Sequence, residues 1–143
     1  GQRIKLVRGP INAVVFKGEY AIYLYLQDAL FARYPVGLGK DDKTPEGTWV
    51  VDQRVKDPPF YDAEASKVYA PNDPENPTGG YWLRLKGLTG EAVGKEGFGI
   101  HGTTEPESIG KSQSKGCIRM RNENVAQVFD MMVPGESKVT ILP

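Results

Sequence analysis

The sequence contains a single cysteine and a single histidine among its 143 residues. One cysteine excludes an intrachain disulfide framework, and the two residues together cannot supply the four Cys and His ligands of a structural zinc site. An excess of one charge is also missing, because 18 Lys and Arg residues balance 18 Asp and Glu residues. A general nucleic-acid binder usually carries a basic excess, so this balance argues against that class.

Long hydrophobic runs are absent as well. No apolar run approaches the ~18 residues that span a bilayer, so we predict no membrane span in this chain. Hydrophobic residues make up 39% and charged residues 25%, which is typical of a soluble globular domain. The length predicts one domain over residues 1–143. The chain begins at Gly1 with no signal-like stretch, and we therefore expect a mature or trimmed domain.

Glycine and proline are plentiful, at 17 and 11 residues. This density of turn formers predicts a mainly β fold built from short strands. Runs of β-branched and aromatic residues predict strands at 4–7, 13–16, 20–26, 30–36, 49–55, 81–85, 98–101 and 139–142. The short Gly-containing segment between the second and third runs predicts a hairpin.

One segment near the end of the chain has helical periodicity. Its apolar positions Val125, Val128, Phe129 and Met132 fall on a single face. Asn122 is the predicted N-cap, and a Pro-Gly pair at 134–135 ends the helix.

Residues 57–80 hold five prolines and little periodicity. A loop of this length inside a compact domain is usually functional or mobile. Two interpretations stay open with about equal weight: a lid or wall of a cleft, and a surface insertion without a role in the site.

Cys117 is the first candidate for chemistry. A free cysteine is more often a small buried hydrophobe than a nucleophile. Here four cations flank it in sequence, and no acidic residue lies between Ser108 and Asn122. The flanking cations are Lys111, Lys115, Arg119 and Arg121. Positive charge favours the thiolate, so the pattern predicts a nucleophile with a lowered pKa.

His101 is the imidazole available to serve such a nucleophile. It ends a predicted strand and is followed at once by Gly102, which places its side chain at the rim of a sheet. Cys117 follows after a turn-rich connection that can bring the two residues together. A Cys–His pair with backbone N–H groups around Gly116 suffices for acyl transfer through a thioester.

These residues form a recognisable pattern. His-Gly-Thr at 101–103, Ser-Ile-Gly at 108–110 and Ser-Lys-Gly-Cys-Ile-Arg-Met at 114–120 resemble the signature of the L,D-transpeptidase catalytic domain, also called the YkuD domain. Blocks at 34–40, 44–49 and 76–83 resemble further family blocks in the same order. The resemblance covers essentially the whole chain.

The resemblance implies a β-sandwich-like fold and an extracytoplasmic enzyme of the periplasm or cell wall. Its substrates would be peptidoglycan stem peptides. The family's cysteine attacks the amide between the L-centre of diaminopimelate and the terminal D-Ala, which leaves. The acyl-thioester is then transferred to an amine, giving a 3→3 cross-link or attaching a wall-anchored protein. This chemistry requires neither a cofactor nor a metal.

By position, the resemblance makes Cys117 the nucleophile and His101 the acid and base, with the Gly102 carbonyl holding the imidazole. Backbone N–H groups of Lys115, Gly116 and Cys117 would form the oxyanion hole. Ser114 and Arg119 match family positions that line the site. Strand alternation directs one of Tyr81 and Trp82 into the core, and Trp82 is the one expected to line the site. Many members carry His where this chain has Lys115.

Three alternatives remain at this point. An L,D-carboxypeptidase would use the same thioester but resolve it with water. A catalytically idle wall-binding module would keep the fold without the reaction, although the intact Cys–His pair argues against it. A redox or metal-binding thiol protein is disfavoured because the chain has no second cysteine and few soft ligands.

Overall fold

The computed structural model describes residues 10–143, and these residues form a mainly β fold. The predicted strand at residues 4–7 lies outside the described residues. The strands are β1 (Ile11–Phe16), β2 (Ala21–Leu26), β3 (Ala29–Pro35), β4 (Leu38–Gly39), β5 (Gly47–Lys56), β6 (Phe60–Asp62), β7 (Lys67–Tyr69), β8 (Tyr81–Gly87), β9 (Gly99–His101), β10 (Ser112–Ser114), β11 (Ile118–Arg119) and β12 (Lys138–Leu142), and the helix is α1 (Asn122–Met131). The predicted fold class, mainly β with a late helix, is confirmed.

Eight strands form one sheet in the order β11-β9-β8-β5-β12-β1-β2-β3. Neighbouring strands in this sheet are antiparallel except for two parallel pairs, β1 with β12 and β9 with β11. Two smaller sheets pair β4 with β10 and β6 with β7. A 3-10 turn at Lys17–Glu19 connects β1 to β2, which confirms the predicted hairpin. The short parallel pair β9–β11 matters most for function because it carries the candidate residues.

Gly37 links the two edges of the large sheet. It follows β3 at one edge, and its N–H donates to the carbonyl of Arg119 in β11, at the other edge, at 2.8 Å. The Arg119 N–H donates back to the Gly37 carbonyl at 2.9 Å. A Cβ at Gly37 would lie 2.8 Å from the Ser108 carbonyl oxygen, so this approach needs glycine. The sheet is therefore curled, with its edges meeting beside β11.

Helix α1 packs its apolar face against the core. Val125, Val128 and Met132 are completely buried, and the ring of Phe129 contacts the ring of Tyr81 edge-on at 5.3 Å between centroids. These are the four residues whose spacing predicted the helix. Burial of an apolar side chain stabilises a fold by about 1.5–3 kcal/mol, so this face fixes α1 against the sheet.

The start of α1 differs from the prediction. Asn122 is the first helical residue and not the N-cap; Arg121 occupies the cap position without a side-chain cap hydrogen bond. The Oδ1 atom of Asn122 instead accepts a hydrogen bond from the Thr103 N–H at 2.8 Å. Long-range contact therefore replaces local capping, and it fastens the helix to the segment that follows β9.

The proline-rich segment 57–80 contains the β6–β7 hairpin and has a closed base, because the Asp57 N–H donates to the Gly80 carbonyl at 2.8 Å. Asn76 is buried inside it, and its Nδ2 donates to the carbonyls of Pro58 and Ala70 at 2.8 and 3.1 Å. Outside the β6–β7 hairpin, hydrogen bonds of the Asn76 side chain hold this segment together. Among residues 10–143, no helix has the length and apolar character needed to cross a membrane.

Candidate active site

The β9–β11 pair brings the candidate residues to one face of the sheet edge. Ile118 lies opposite Ile100 and Arg119 opposite His101. Both isoleucines are buried in the core, so His101 and Arg119 face the other way, because successive strand residues alternate between faces. Cys117 immediately precedes Ile118, just outside β11, and the Arg119 guanidinium acts on the pKa of both Cys117 and His101.

His101 is held by two contacts. Its Nδ1 atom lies 2.5 Å from the carbonyl oxygen of Gly102. Its ring lies against that of Trp82, with 5.8 Å between centroids, and the two residues are paired across β8 and β9. Tyr81 packs against the core instead. Strand alternation thus directs Trp82 to His101 and Tyr81 to the core.

The protonation of His101 follows from its surroundings. Burial lowers the pKa of His101 to about 4. The hydrogen bond to Gly102 acts in the opposite direction, and the Arg119 guanidinium lowers this pKa further. At neutral pH the imidazole is therefore uncharged. Because the Gly102 carbonyl only accepts hydrogen bonds, Nδ1 carries the proton and Nε2 keeps its lone pair.

The pKa of Cys117 contradicts the prediction from flanking charge. Burial raises the pKa of the Cys117 thiol above its ordinary value, and a hydrogen bond with the Gly99 backbone and the charge of Arg119 only partly oppose this. The Sγ atom donates to the carbonyl of Gly97 at 3.4 Å. No hydrogen bond joins it to His101 within the described part of the chain. The resting site therefore holds a neutral thiol and a neutral imidazole.

Two of the four flanking cations form ion pairs with carboxylates. The Lys115 ammonium pairs with Glu64 at 3.3 Å and with Asp62 at 3.9 Å, both on or beside the β6–β7 hairpin. Arg119 pairs with Glu105 at 3.6 Å and is the flanking cation that acts on the pKa of Cys117. The Lys115 ammonium pairs with these carboxylates and does not act on the pKa of Cys117, so proximity in sequence overstated the positive field at the sulfur.

The turn before Cys117 is fixed by the Ser114 hydroxyl. The Oγ atom donates to the Cys117 carbonyl at 2.6 Å and accepts from the Gly116 N–H at 3.2 Å. Of the three backbone groups expected to form an oxyanion hole, that of Gly116 is thus already engaged inside the protein. The N–H groups of Lys115 and Cys117 remain as candidates.

Gly116 is required by close packing. Its φ is +138°, and a Cβ there would lie 2.5 Å from a ring carbon of Phe98 and 3.1 Å from the Lys43 carbonyl oxygen. A Cβ on Gly39 would in turn lie 2.7 Å from the Gly116 Cα. Only glycine fits both positions, and this packing seats the Cys117 turn against β4.

Two residues that sequence reasoning set aside have contacts in this site. Thr44, the first residue of the 44–49 block, is buried, and its hydroxyl contacts both Gly39 and Gly116. Asn122, interpreted as a cap, binds the Thr103 N–H next to Gly102. The 44–49 block was the only sequence signal for Thr44, and nothing in the local sequence marked Asn122 for this contact.

The surface around the candidate site has two clefts. A cleft of about 670 Å³ runs between the proline-rich segment and the start of α1, and its walls include Asn76, Thr103 and Asn122. A second cleft of about 480 Å³ is bordered by Phe98 and Lys115. Neither cleft is lined by Cys117 or His101 themselves. Across residues 10–143, no three His, Cys, Asp or Glu side chains gather as a metal ion would require.

The curled sheet, with a histidine in β9 and a cysteine directly before β11, has known counterparts. The model of the L,D-transpeptidase catalytic domain, the YkuD family, matches residues 11–141. The chain is 36% identical over 135 residues to the putative L,D-transpeptidase YkuD of Bacillus licheniformis, covering 94% of this chain and 67% of that protein. It is 34% identical over 133 residues to the Bacillus subtilis YkuD, covering 92% and 66%. The chain belongs to this family.

Solved structures agree on the fold. The Mycobacterium tuberculosis L,D-transpeptidase 3, in complex with a faropenem-derived adduct, superimposes with a TM-score of 0.70 at 13% identity, covering 94% of this chain and 61% of that one. The LdtMt1 complex with imipenem gives 0.67 at 19% identity, covering 94% and 59%. The chain thus spans about two thirds of its Bacillus relatives and about three fifths of these structures.

Proposed function

We propose that this domain is a cysteine acyltransferase acting on peptidoglycan stem peptides outside the cytoplasm, as an L,D-transpeptidase. The observation that carries the proposal is the position of Cys117 directly before β11, beside the strand pair that holds His101 and Arg119. With Nδ1 held by Gly102, His101 has its Nε2 lone pair available as a general base. Membership of the family supports the class of reaction.

The reaction begins with two uncharged groups. His101 Nε2 takes the thiol proton as Sγ attacks the amide carbonyl carbon between the stem's L-centre and its terminal D-Ala. Negative charge then develops on the carbonyl oxygen, where the N–H groups of Cys117 and Lys115 stabilise it. The C–N bond breaks, the departing amine takes the proton from His101, and an acyl-thioester remains on Cys117.

The second half of the reaction reverses these roles. An acceptor amine enters, His101 removes its proton as the nitrogen attacks the thioester carbonyl, and the thiol leaves with that proton. A 3→3 cross-link results when the acceptor is the side-chain amine of another stem, and a wall attachment results when it is a lysine of a protein. Keeping both groups neutral at rest protects the thiol from unspecific reaction between substrates.

Four further residues support this chemistry in the proposal. Arg119, whose side chain is 21% exposed, offers a guanidinium fork to a stem carboxylate. Trp82 lies against the His101 ring and forms an apolar wall of the site. Ser114 keeps the Cys117 turn rigid through its two hydrogen bonds. Lys115 links that turn to the β6–β7 hairpin of the proline-rich segment, and we assign this segment as a wall of the 670 Å³ cleft, which Asn76 and Gly80 line.

A stem tetrapeptide assayed with and without an amine acceptor tests the proposal. We expect D-Ala release together with a new amide product when the acceptor is present, and neither with Cys117→Ala. Release of D-Ala with tripeptide as the only product would establish the carboxypeptidase alternative. Binding of stem peptides without any release by the folded wild type would favour the wall-binding module and overturn the proposal.

A further inference from the structure

The Thr44 hydroxyl sits under the turn that carries Cys117. Thr44 is 2% exposed, and its Oγ accepts a hydrogen bond from the Gly39 N–H at 2.8 Å. The same oxygen lies 2.9 Å from the carbonyl oxygen of Gly116. Because a carbonyl only accepts, the Thr44 hydroxyl proton points at Gly116. The direction of this hydrogen bond is therefore defined.

The Gly116 carbonyl and the Cys117 N–H belong to the same peptide unit. A peptide unit is planar, and no cis peptide bond occurs in the described residues 10–143. The Cys117 N–H therefore points away from the Gly116 carbonyl, so whatever fixes the carbonyl also aims the N–H. Gly116 itself resists rotation of this unit least, because glycine permits the widest range of backbone angles.

Other contacts fix the neighbouring peptide units but leave this one to Thr44. Ser114 Oγ accepts from the Gly116 N–H, which holds the preceding unit, and donates to the Cys117 carbonyl, which holds the following unit. The Thr44 hydroxyl is the side-chain partner of the unit between them. Hydrogen bonding at a carbonyl also polarises the N–H of the same unit.

Thr44 is itself held firmly. Its carbonyl accepts a hydrogen bond from the Lys17 ammonium at 2.8 Å. The Lys17 side chain is only 10% exposed and pairs with Asp42 at 2.6 Å and Glu46 at 3.1 Å. The threonine backbone is thus anchored independently of its hydroxyl, so a substitution that removes only the hydroxyl can leave the turn in place.

We infer that Thr44 is a positioning residue whose hydroxyl aims the Cys117 N–H at the oxyanion formed during acyl transfer. This inference rests on the proposed function, because it concerns the stabilisation of that oxyanion. It assigns to Thr44 a role in the rate of acylation and none in the reactivity of the thiol toward reagents that form no oxyanion. Those two rates can be measured on the same protein.

Thr44→Val has nearly the shape of threonine and lacks the hydroxyl. Acylation is followed by intact-protein mass spectrometry with imipenem, whose carbonyl becomes an oxyanion during attack. Alkylation is followed with iodoacetamide, in which Sγ displaces iodide from a CH₂ carbon and no oxyanion forms. We expect Thr44→Val to slow acylation roughly 10- to 100-fold, somewhat less than deletion of an oxyanion donor, and to leave alkylation nearly unchanged. Thr44→Ser should restore acylation.

Ser137→Ala is the matched control, because it removes another completely buried hydroxyl, one that binds the Val133 N–H at 2.8 Å far along the chain. Its ratio of acylation to alkylation should equal that of the wild type. If Thr44→Val does not fold, the comparison of Thr44→Ser with Thr44→Ala isolates the hydroxyl instead.

The outcomes separate the two proposals. Wild-type acylation with an unchanged rate in Thr44→Val would overturn the inference and leave the proposed function standing. An equal loss of acylation and alkylation would show a general loss of structure and would also overturn it. A wild type that alkylates but is never acylated would overturn the proposed function and the inference with it.

Discussion

The Nδ1 atom of His101 and the carbonyl oxygen of Gly102 lie 2.5 Å apart, which fixes one tautomer of the only histidine in the chain. The carbonyl can only accept, so the proton stays on Nδ1. Gly102 is required there, because a Cβ would lie 2.2 Å from Asn122 Oδ1 and 2.8 Å from the Thr78 carbonyl oxygen. A tightly packed backbone thus does for this imidazole what a carboxylate does in many other sites.

The first prediction concerns the chemical role of that imidazole. His101→Gln should abolish stem-peptide turnover, because no second imidazole exists in the sequence and general acid–base help is typically worth ~10²–10⁴-fold. Turnover and a thermal melt are measured together. Near-normal turnover in a folded variant would remove the assigned role, whereas a collapse of the melting temperature would indicate that His101 is structural.

The second prediction concerns stability against pH. His101 has its pKa lowered from 6.5 to about 4 by burial, so between these values the unfolded chain binds more protons than the folded one. The contribution of His101 to the free energy of unfolding is complete above pH 6.5 and is lost as the pH falls toward 4. A shift of this size corresponds to on the order of 3 kcal/mol. Urea unfolding of wild type and His101→Gln at several pH values isolates the contribution of His101. If the unfolding free energy changed equally with pH in the two proteins, the prediction would be contradicted.

The third prediction concerns the thiol. Because burial raises the pKa of Cys117, its alkylation rate should rise with pH around a midpoint above that of free cysteine. The rate is followed with iodoacetamide, and a short cysteine-containing peptide serves as the reference. A midpoint below that of the reference peptide would contradict this prediction and support the lowered pKa that the flanking cations had suggested.

The fourth prediction concerns β-lactams. A carbapenem should acylate the protein once, on Cys117, because the strained carbonyl is attacked as the stem amide is; the thioester forms, the ring C–N bond breaks and the nitrogen takes the proton. Intact mass should show one adduct, and peptide mapping should place it within residues 114–120. Cys117→Ala should form none. An adduct that persists in this variant would argue against acyl-thioester chemistry.

The fifth prediction concerns Asn122, which binds the Thr103 N–H at 2.8 Å beside Gly102. Asn122→Ala should loosen the Gly102 carbonyl and lower turnover by on the order of tenfold, equivalent to ~1.4 kcal/mol. Asn122→Asp keeps the accepting oxygen and is the control. Because the chain has one histidine, ring ¹⁵N shifts report its tautomer directly, and an unchanged tautomer and rate in Asn122→Ala would refute the prediction.

Much of the architecture is readable from local pattern. Runs of β-branched and aromatic residues predicted the long strands, and helical spacing placed Val125, Val128 and Met132 on one face, which is buried. The short strands β4, β6, β7, β10 and β11 escaped prediction, because segments of two or three residues carry too little periodicity to be recognised. The curl of the sheet escaped too, since the bridge between Gly37 and Arg119 joins residues far apart in the chain.

The sequence by itself determined which groups exist to react: one thiol at Cys117, one imidazole at His101, and a glycine beside each. It could do so because residue type alone sets whether a side chain can attack or carry a proton. Only the tertiary structure decided the protonation states of these groups. Burial and the directions of neighbouring charges are sums over distant segments, and they leave Cys117 and His101 uncharged where flanking lysines and arginines had predicted a thiolate. The same long-range packing placed Thr44 beneath Gly116, a contact that no spacing in the sequence records.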